Sequence, residues 1–261
     1  MNELDLAREL ADIADEISMG YFGKAPGSSL KLDGSIVTVA DHEIEDALRK
    51  RIGEEFPEHG IAGEEAGVHG DRAAPVWVID PIDGTANFAA AIPVFATLIG
   101  LRVNARTEVG VVSAPALNER YEAAKGDGAR MNGAPITVSS VSTLEAAAVC
   151  FGSAKRMERR GYADQMRKIL AGCKRDRGFG DFWGHMLVAR GALEVMTEPS
   201  LQAWDVLPLE IIVKEAGGEI TTLDGAPYPE EKLWGPGPRA GCLTTNGVLH
   251  KQIVDLLNSR D

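Results

Sequence analysis

The hydrophobic period changes partway along the chain, and this change constrains the fold more than any other feature of the sequence. Apolar residues in segments 4–17 and 44–52 recur at the 3.6-residue spacing of amphipathic helices. From Val76 onward they form short runs separated by turn residues, which is typical of strands, and later strand and helix patterns alternate. The sequence therefore predicts an α+β part over residues 1–140 and an α/β part over residues 141–261.

The same patterns place individual elements. Thr38 and Asp41 form a capping box that begins the second helix, which ends before Pro57, and a turn is expected at residues 33–35. An antiparallel meander is predicted from strands at residues 76–79, 94–103, 109–112, 121–124 and 136–138. Alternating strand and helix segments are predicted at residues 147–151, 157–170, 182–190, 193–197, 206–216, 219–222 and 248–257.

The charge balance argues against some classes of partner. Lys and Arg number 27 against 39 Asp and Glu, and the resulting net charge of −12 disfavours a protein that mainly binds the nucleic-acid backbone. The most apolar stretch, residues 92–103, contains Pro93 and is too short to span a membrane. The acidic start lacks the pattern of a signal peptide. We expect a cytoplasmic protein that binds neither nucleic acid nor a membrane.

The cysteines favour the same compartment. Cys150, Cys173 and Cys242 are widely spaced, and no two of them form a C-x-x-C pair. This pattern indicates buried thiols in a reducing cytosol rather than a catalytic or zinc-binding set.

The segment from Asp80 to Thr85 is the strongest candidate for chemistry. An apolar strand leads to Asp80, Pro81 stiffens the backbone, and Asp83 follows at a turn made by Gly84. Two carboxylates that converge in this way need a cation, and Mg²⁺ prefers such oxygen ligands. The N–H groups of Gly84 and Thr85 could hold a phosphate. The alternative is an ordinary surface turn.

Two further carboxylate positions are candidates. Glu64 and Glu65 lie between glycines, a pattern that by itself is more typical of a solvated loop. Asp205 precedes an apolar helix and could be its N-cap, although a carboxylate at a helix start can turn its second oxygen to a metal.

Four motifs occur in order along the chain: TVAD at 38–41, GEE at 63–65, DPIDGT at 80–85 and WD at 204–205. Together they resemble the inositol monophosphatase family of Mg²⁺-dependent, lithium-sensitive phosphatases. Matching segments at 126–129, 132–133, 215–218 and 245–247 extend the resemblance over nearly the whole chain. It implies a layered αβαβα sandwich of the inositol monophosphatase/fructose-1,6-bisphosphatase type.

Other motifs narrow the resemblance within the family. Segments 113–117, 177–183, 198–199 and 245–250 resemble the bacterial histidinol-phosphate phosphatases. Ala86 after Thr85, and Tyr121 and Glu122 after Arg120, depart from that group's pattern. The resemblance implies hydrolysis of L-histidinol phosphate to L-histidinol in histidine biosynthesis.

Two other functions stay open at this point. One is an inositol 1-phosphate, sugar or other metabolite monophosphatase. The other is a protein- or RNA-associated regulator, which expects a basic or exposed apolar partner surface. Basic clusters that could form such a surface lie at residues 155–160 and 174–177.

The resemblance also implies a metal site. Glu64, Asp80 and the Ile82 carbonyl would hold one Mg²⁺, and Asp80, Asp83 and Asp205 a second, with two or three ions per site. These motifs contain no Lys or Arg, so we expect the ions alone to supply positive charge for a phosphate. Residues 1–140 would bind metal and phosphate, residues 141–261 would complete the site and the substrate pocket, and a homodimer is expected.

The remaining implied roles concern water and phosphate. Glu64 and a hydrogen-bonded Thr85–Asp41 pair would orient the attacking water and accept its proton. Gly84 and Thr85 would bind the phosphate through their N–H groups, and Asp83 would border the substrate.

Three residues are candidates for the substrate's alcohol. Because histidinol carries an ammonium and an imidazole, its pocket should be acidic, and Glu198 and Asp181 are expected to line it, with Asn87 a weaker candidate. The alternative for Asp181 is a solvated or helix-capping residue. His185 lies on an apolar helix and is expected in the core or an interface rather than at a ligand.

Overall fold

The computed structural model describes residues 1–24, 27–30, 36–71, 73–229 and 239–259, so the turn expected at 33–35 lies outside the described residues. The helices are α1 (Glu3–Tyr21), α2 (Val39–Glu55), α3 (Thr85–Ala89), α4 (Ala154–Arg159), α5 (Ala163–Gly172), α6 (Asp181–Ala189), α7 (Ala203–Glu215) and α8 (His250–Asn258). The strands are β1 (Ser28–Leu30), β2 (Ile36–Thr38), β3 (Gly60–Gly63), β4 (Gly67–His69), β5 (Val76–Asp83), β6 (Ala96–Val103), β7 (Arg106–Ala114), β8 (Glu119–Ala124), β9 (Ala129–Met131), β10 (Ala134–Pro135), β11 (Ala148–Phe151), β12 (Arg175–Arg177), β13 (Val195–Leu201), β14 (Glu219–Thr221) and β15 (Ala240–Thr245). None of the helices in these ranges is both long and apolar enough to cross a membrane.

The larger sheet has eight strands in the order β10-β9-β8-β7-β6-β5-β3-β4. From β5 to β10, successive strands are antiparallel to one another, which confirms the predicted meander except for its last strand at residues 136–138. Asn104 and Ala105 turn the chain between β6 and β7, both with positive φ, as a two-residue hairpin requires. β3 lies parallel to β5, so the two strands end at the same edge of the sheet.

The smaller sheet has five strands in the order β12-β11-β13-β15-β14. β11 is parallel to both of its neighbours, whereas β15 is antiparallel to β13 and β14. The second part of the chain is therefore a mixed sheet with helices on its faces.

Apolar residues on both faces of the two sheets explain the layering. Along β5, Trp77 and Ile79 face the cluster that includes α1 and α2, while Val78 faces the cluster that includes α7. Along β11, Val149 packs with residues of α5 and α8, and Cys150 packs with α6. The helices α6 and α7 thus separate the two sheets, and the expected αβαβα sandwich is confirmed.

Glycines allow α7 to lie close to the large sheet. A Cβ atom at Gly100 would lie 3.0 Å from the Cα of Pro208 in α7, and one at Gly110 would collide with the Pro208 carbonyl oxygen. Strand glycines are typical of such close backbone approaches. This packing fixes the height of α7 above the strands.

Three sequence expectations differ from the structure. Residues 136–138 form no strand, because the Val138 N–H donates to the carbonyl of Ala216 at the end of α7 instead of to a sheet neighbour. The helix expected over 157–170 is split into α4 and α5, since Gly161 has φ +79° between them. β15 was not predicted because its sequence, AGCLTT, lacks an alternating apolar pattern.

We predict that Gly110→Ala lowers the free energy of unfolding by about 1–3 kcal/mol, because the added methyl group overpacks the contact with α7. Gly53→Ala is the matched control, since a Cβ at this position in α2 meets nothing within 4 Å. The control should raise stability by up to about 1 kcal/mol, the difference in helix propensity. Urea denaturation measures both, and equal effects would contradict the close approach of α7.

Candidate metal and phosphate site

An irregularity in β5 brings two carboxylates to one cavity. Asp80 pairs with Leu98 of β6, and Asp83 pairs with Ala96. Between these two pairs β5 advances by three residues while β6 advances by two, so β5 contains one extra residue. Residues three apart in a regular strand point to opposite faces, whereas one extra residue returns both to the same side. Asp80 and Asp83 both line a cavity of about 290 Å³. Thr97 supports the bulge by donating its hydroxyl to the Pro81 carbonyl at 2.8 Å.

Glu64 follows the neighbouring strand β3 and lines the same cavity. Gly63 pairs with Ile79 in parallel register, and the Glu64 N–H donates to the Ile79 carbonyl at 3.2 Å. Because parallel strands end at the same edge, Glu64 lies beside Asp80. Carboxylate oxygens of Glu64, Asp80 and Asp205 all lie within 4.8 Å of one another. Glu64 is thus part of the site rather than of an isolated solvated loop.

Asp205 enters from the opposite layer, on the first turn of α7. Its Oδ2 accepts the N–H of Gln202 at 2.8 Å, which makes Gln202 the N-cap and Asp205 the third helical residue. The expectation of an N-cap at Asp205 is therefore wrong by three positions, since the helix begins at Ala203. The helix start fixes one oxygen of this carboxylate, as the sequence argument requires.

The electrostatics of this cluster favour a cation. Burial raises the pKa of Asp80 well above its ordinary value, and the charges of Glu64 and Asp83 raise it further. Burial and the charge of Glu64 raise the pKa of Asp205 to about 7. Carboxylates that repel one another in this way are stabilised by a positive ion between them, and an all-oxygen donor set suits Mg²⁺. The residues therefore fit the metal that the resemblance implies.

Asp83 occupies a different place from the other three carboxylates. It lines the cavity, and its Oδ2 accepts the N–H of Phe182 at 2.6 Å, which ties it to the start of α6. Burial raises its pKa well above the ordinary value, and the charges of Asp181 and Asp205 contribute. Asp83 therefore connects the carboxylate cluster of Glu64, Asp80 and Asp205 to the part of the cavity beside the start of α6.

The predicted Thr85–Asp41 pair is present at the limit of hydrogen bonding. Thr85 Oγ1 donates to the Ile82 carbonyl at 2.9 Å and lies 3.5 Å from Asp41 Oδ1. The predicted capping box fixes Asp41, whose Oδ2 accepts the N–H and hydroxyl of Thr38 at 2.8 and 2.6 Å. Asp41 is buried, so the pair meets the cavity only through Thr85.

Gly84 starts α3 with φ +81°, in the left-handed region that glycine adopts without strain. A Cβ there would lie 2.9 Å from the Val94 carbonyl oxygen. The first N–H groups of a helix have no acceptor within the helix, so those that follow this turn are available to an anion at the cavity. Gly84 and Thr85 both line the cavity.

The two candidate acids for the alcohol lie at different depths. Asp181 lines the cavity, and its Oδ2 accepts from the Asn87 side chain at 3.3 Å. Glu198 lies behind it, 5% exposed, and its Oε1 accepts the Asp181 N–H at 3.2 Å. Burial raises the pKa of Asp181, and burial together with the charge of Asp181 raises that of Glu198 to about 8. Asp181 is the first residue of α6 and Gly180 is the N-cap, so Asp181 is not the capping residue that the alternative expected, and its contact with an alcohol stays a prediction.

Arginines also line the cavity, so the expectation of a site without cationic side chains is wrong. Arg156 of α4 and Arg239, just before β15, both border it. Arg239 lowers the pKa of Asp205 against the effect of burial, and Arg156 does the same for Asp181. Both lie far along the chain from the motifs, and no spacing in the sequence points to them.

The other singled-out residues lie outside the cavity. His185 is fully buried in α6, and its Nδ1 lies 2.7 Å from the Thr244 hydroxyl, which confirms a core histidine. Cys150 and Cys242 are buried thiols as expected, but Cys173 is only half-buried.

Comparisons with known proteins agree with this geometry. The sequence pattern described as the Inositol monophosphatase family matches residues 2–260. The chain belongs to this family. A histidinol-phosphatase of Mycobacterium tuberculosis is 39% identical over 99% of this chain and 98% of its own length. A histidinol-phosphatase of Streptomyces coelicolor is 38% identical over 100% and 98%. Among solved structures, an IMPase of Thermotoga maritima superposes with a TM-score of 0.87 at 29% identity, covering 99% of this chain and 97% of that one.

We predict that Mg²⁺ stabilises this family member through the carboxylate cluster. Saturating Mg²⁺ should raise the Tm of the wild type by roughly 5–10 °C, since an ion at a hundred times its Kd contributes about 2.7 kcal/mol. Asp80→Asn should lose most of this rise, yet in chelator it should be at least as stable as the wild type because one repelled carboxylate becomes neutral. Asp127→Asn, at an exposed turn, is the control. A full Mg²⁺ shift in Asp80→Asn would contradict the assignment.

Proposed function

We propose that this family member is a Mg²⁺-dependent phosphate monoester hydrolase that converts L-histidinol phosphate to L-histidinol in histidine biosynthesis. The observation that carries the reaction class is the cluster of Glu64, Asp80 and Asp205 at one cavity with the start of α3. The substrate is supported by the histidinol-phosphatase relatives and by Asp181, a carboxylate on the cavity wall away from that cluster.

The carboxylate side chains of Glu64, Asp80, Asp83 and Asp205, with the Ile82 carbonyl, would hold two or three Mg²⁺ ions. When bound, Mg²⁺ would supply positive charge for the phosphate and the leaving oxygen and would acidify a water molecule. The Ile82 carbonyl already accepts the Thr85 hydroxyl, which limits the directions left to it.

The chain itself orients the nucleophile and the phosphate. Thr85 Oγ1 is held between Ile82 and Asp41, so its lone pairs can accept from a water molecule in the cavity while Asp41 stays buried behind it. Glu64 borders the same cavity and would take the proton as the water attacks. The N–H groups of Gly84 and Thr85 would hold the non-bridging phosphate oxygens.

The alcohol would occupy the side of the cavity where Asp181 lies. A carboxylate there binds an ammonium by a charge-assisted hydrogen bond. Asn87 holds Asp181 Oδ2, and Glu198 accepts the Asp181 N–H from behind, so Glu198 would act by positioning Asp181 rather than by lining the cavity.

The alternatives are less well supported. The alcohol of an inositol ester is neutral, so Asp181 could accept hydrogen bonds from its hydroxyls but would form no charge pair with it. Part of the basic cluster needed by the regulatory alternative borders the cavity through Arg156. We further propose a cytoplasmic homodimer that acts on small phosphate esters and not on nucleic acid or membranes. Sedimentation and cell fractionation would test the dimer and the location.

We predict that Thr85→Ala lowers kcat much more than it raises KM, because the hydroxyl orients water while the backbone N–H, which alanine keeps, binds phosphate. Thr85→Ser keeps the hydroxyl and should retain most of the wild-type kcat. Steady-state phosphate release measures both. A large rise in KM with unchanged kcat would make the hydroxyl a binding group instead.

We also predict that the wild type prefers L-histidinol phosphate to inositol 1-phosphate and fructose 1,6-bisphosphate, and that excess chelator abolishes release from all three. Asp181→Asn should lower kcat/KM for the histidinol ester about ten- to a hundredfold, the value of one charged hydrogen bond, and should affect the inositol ester less. Asp176→Asn, at an exposed position, is the control. Preference for the inositol ester, or an equal loss on both, would overturn the histidinol assignment.

A further inference from the structure

The short helix α4 places one residue of a basic cluster at the cavity. Arg156 lines the cavity together with Asp181. Arg160, four residues later and so on the same helical face, donates its Nη2 to the Ser200 hydroxyl at 3.2 Å and to the Arg239 carbonyl at 3.0 Å. Ser200 and Arg239 line the cavity as well, so Arg160 fixes α4 against the cavity wall.

The start of α4 is fixed beside Asp181 and Glu198, the two acids on the side of the cavity where the alcohol would bind. Gly152, which precedes the helix, donates its N–H to the Thr197 carbonyl at 3.0 Å, and a Cβ at Gly152 would collide with the Glu198 carboxylate. Ser153 then caps the helix by accepting the Arg156 N–H at 3.2 Å. The backbone of α4 therefore places Arg156, whose side chain is exposed, near Asp181 and Glu198, and its charge opposes the rise that burial causes in the pKa of both.

The guanidinium of Arg156 forms no hydrogen bond or ion pair with the described residues. A guanidinium offers five N–H donors in a fixed plane, and its charge is permanent. Beside Asp181, it gives the alcohol side one acidic group and one donor group. Such a pair matches an alcohol that carries a cationic group and a separate acceptor atom.

We propose that Arg156 is a specificity-determining residue that donates hydrogen bonds to an acceptor atom of the leaving alcohol while Asp181 binds the alcohol's cationic group. This inference rests on the proposed function and adds a second contact to it. In histidinol the ammonium is the group for Asp181, and the unprotonated nitrogen of the neutral imidazole is the acceptor for Arg156.

The test compares two amino-alcohol esters that differ in the acceptor. L-Histidinol phosphate has the ammonium and the ring nitrogen, whereas phosphoethanolamine has the ammonium alone. Arg156→Gln should lower kcat/KM for the histidinol ester about ten- to a hundredfold and change that for phosphoethanolamine less than about threefold. Arg156→Lys, which keeps the charge but not the planar donors, should lower the histidinol ester's value by an intermediate factor.

Arg159→Gln is the matched control, because it removes the same charge from the same helix at an exposed position outside the cavity lining. It should leave both esters unchanged. An equal loss on both esters in Arg156→Gln would make Arg156 a phosphate contact or a structural residue and would overturn the inference. The inference would also be overturned if Arg159→Gln lowered kcat/KM as much as Arg156→Gln does, if Arg156→Lys kept full activity on the histidinol ester, or if Arg156→Gln changed neither ester's kcat/KM.

The kcat/KM values of the wild type on the different esters separate a failure of this inference from a failure of the proposed function. If the wild type hydrolyses inositol 1-phosphate better than the histidinol ester, the proposed substrate is wrong whatever the variants do. The acceptor role is then decided by inositol 1-phosphate against phosphoethanolamine, since inositol hydroxyls also accept hydrogen bonds. A selective loss on the inositol ester in Arg156→Gln supports the role of Arg156, and an equal loss rejects it.

Discussion

The extra residue in β5 is the constraint on which the site depends. Without it, Asp80 and Asp83 would face opposite sides of the large sheet, one toward α1 and α2 and the other toward α7. With it, both face one cavity, where β3 adds Glu64 from the same sheet edge and α7 adds Asp205 from the next layer. The bulge therefore converts the end of a largely buried strand into a site where several negative charges meet.

Bringing these charges together opposes folding, and the surrounding packing offsets the cost. Burial and mutual repulsion raise the pKa values of Asp80, Asp83 and Asp205. The glycines under Pro208 let α7 lie close to the sheet, which keeps Asp205 near Asp80 although the two carboxylates repel. A site held by layer packing in this way is preorganised for a cation before the cation binds.

Hydrogen bonds across the cavity join the part that holds phosphate to the part that holds the alcohol. Asp83 accepts the N–H of Phe182, and the Asn87 side chain reaches Asp181, so β5 and α3 are tied to the start of α6 at two points. The group that meets the phosphate and the group proposed to meet the alcohol therefore lie at a fixed separation. Arg156 reaches the same region from α4, whose position Arg160 fixes independently.

The sequence by itself determined the layers and most of the site. Its periods predicted most of the helices and all but the last strand of the meander, and the chemistry of the Asp80–Thr85 segment could be read from one contiguous motif, whereas Glu64 and Asp205 were assigned to the site through the family resemblance. Only the tertiary structure decided which side chains share a cavity. It placed Glu198 behind Asp181, put Cys173 at partial exposure, and brought in Arg156 and Arg239. The physical reason is that local patterns fix backbone conformation, whereas a contact between elements depends on how layers pack, and a single arginine on a short helix leaves no local sign of that packing.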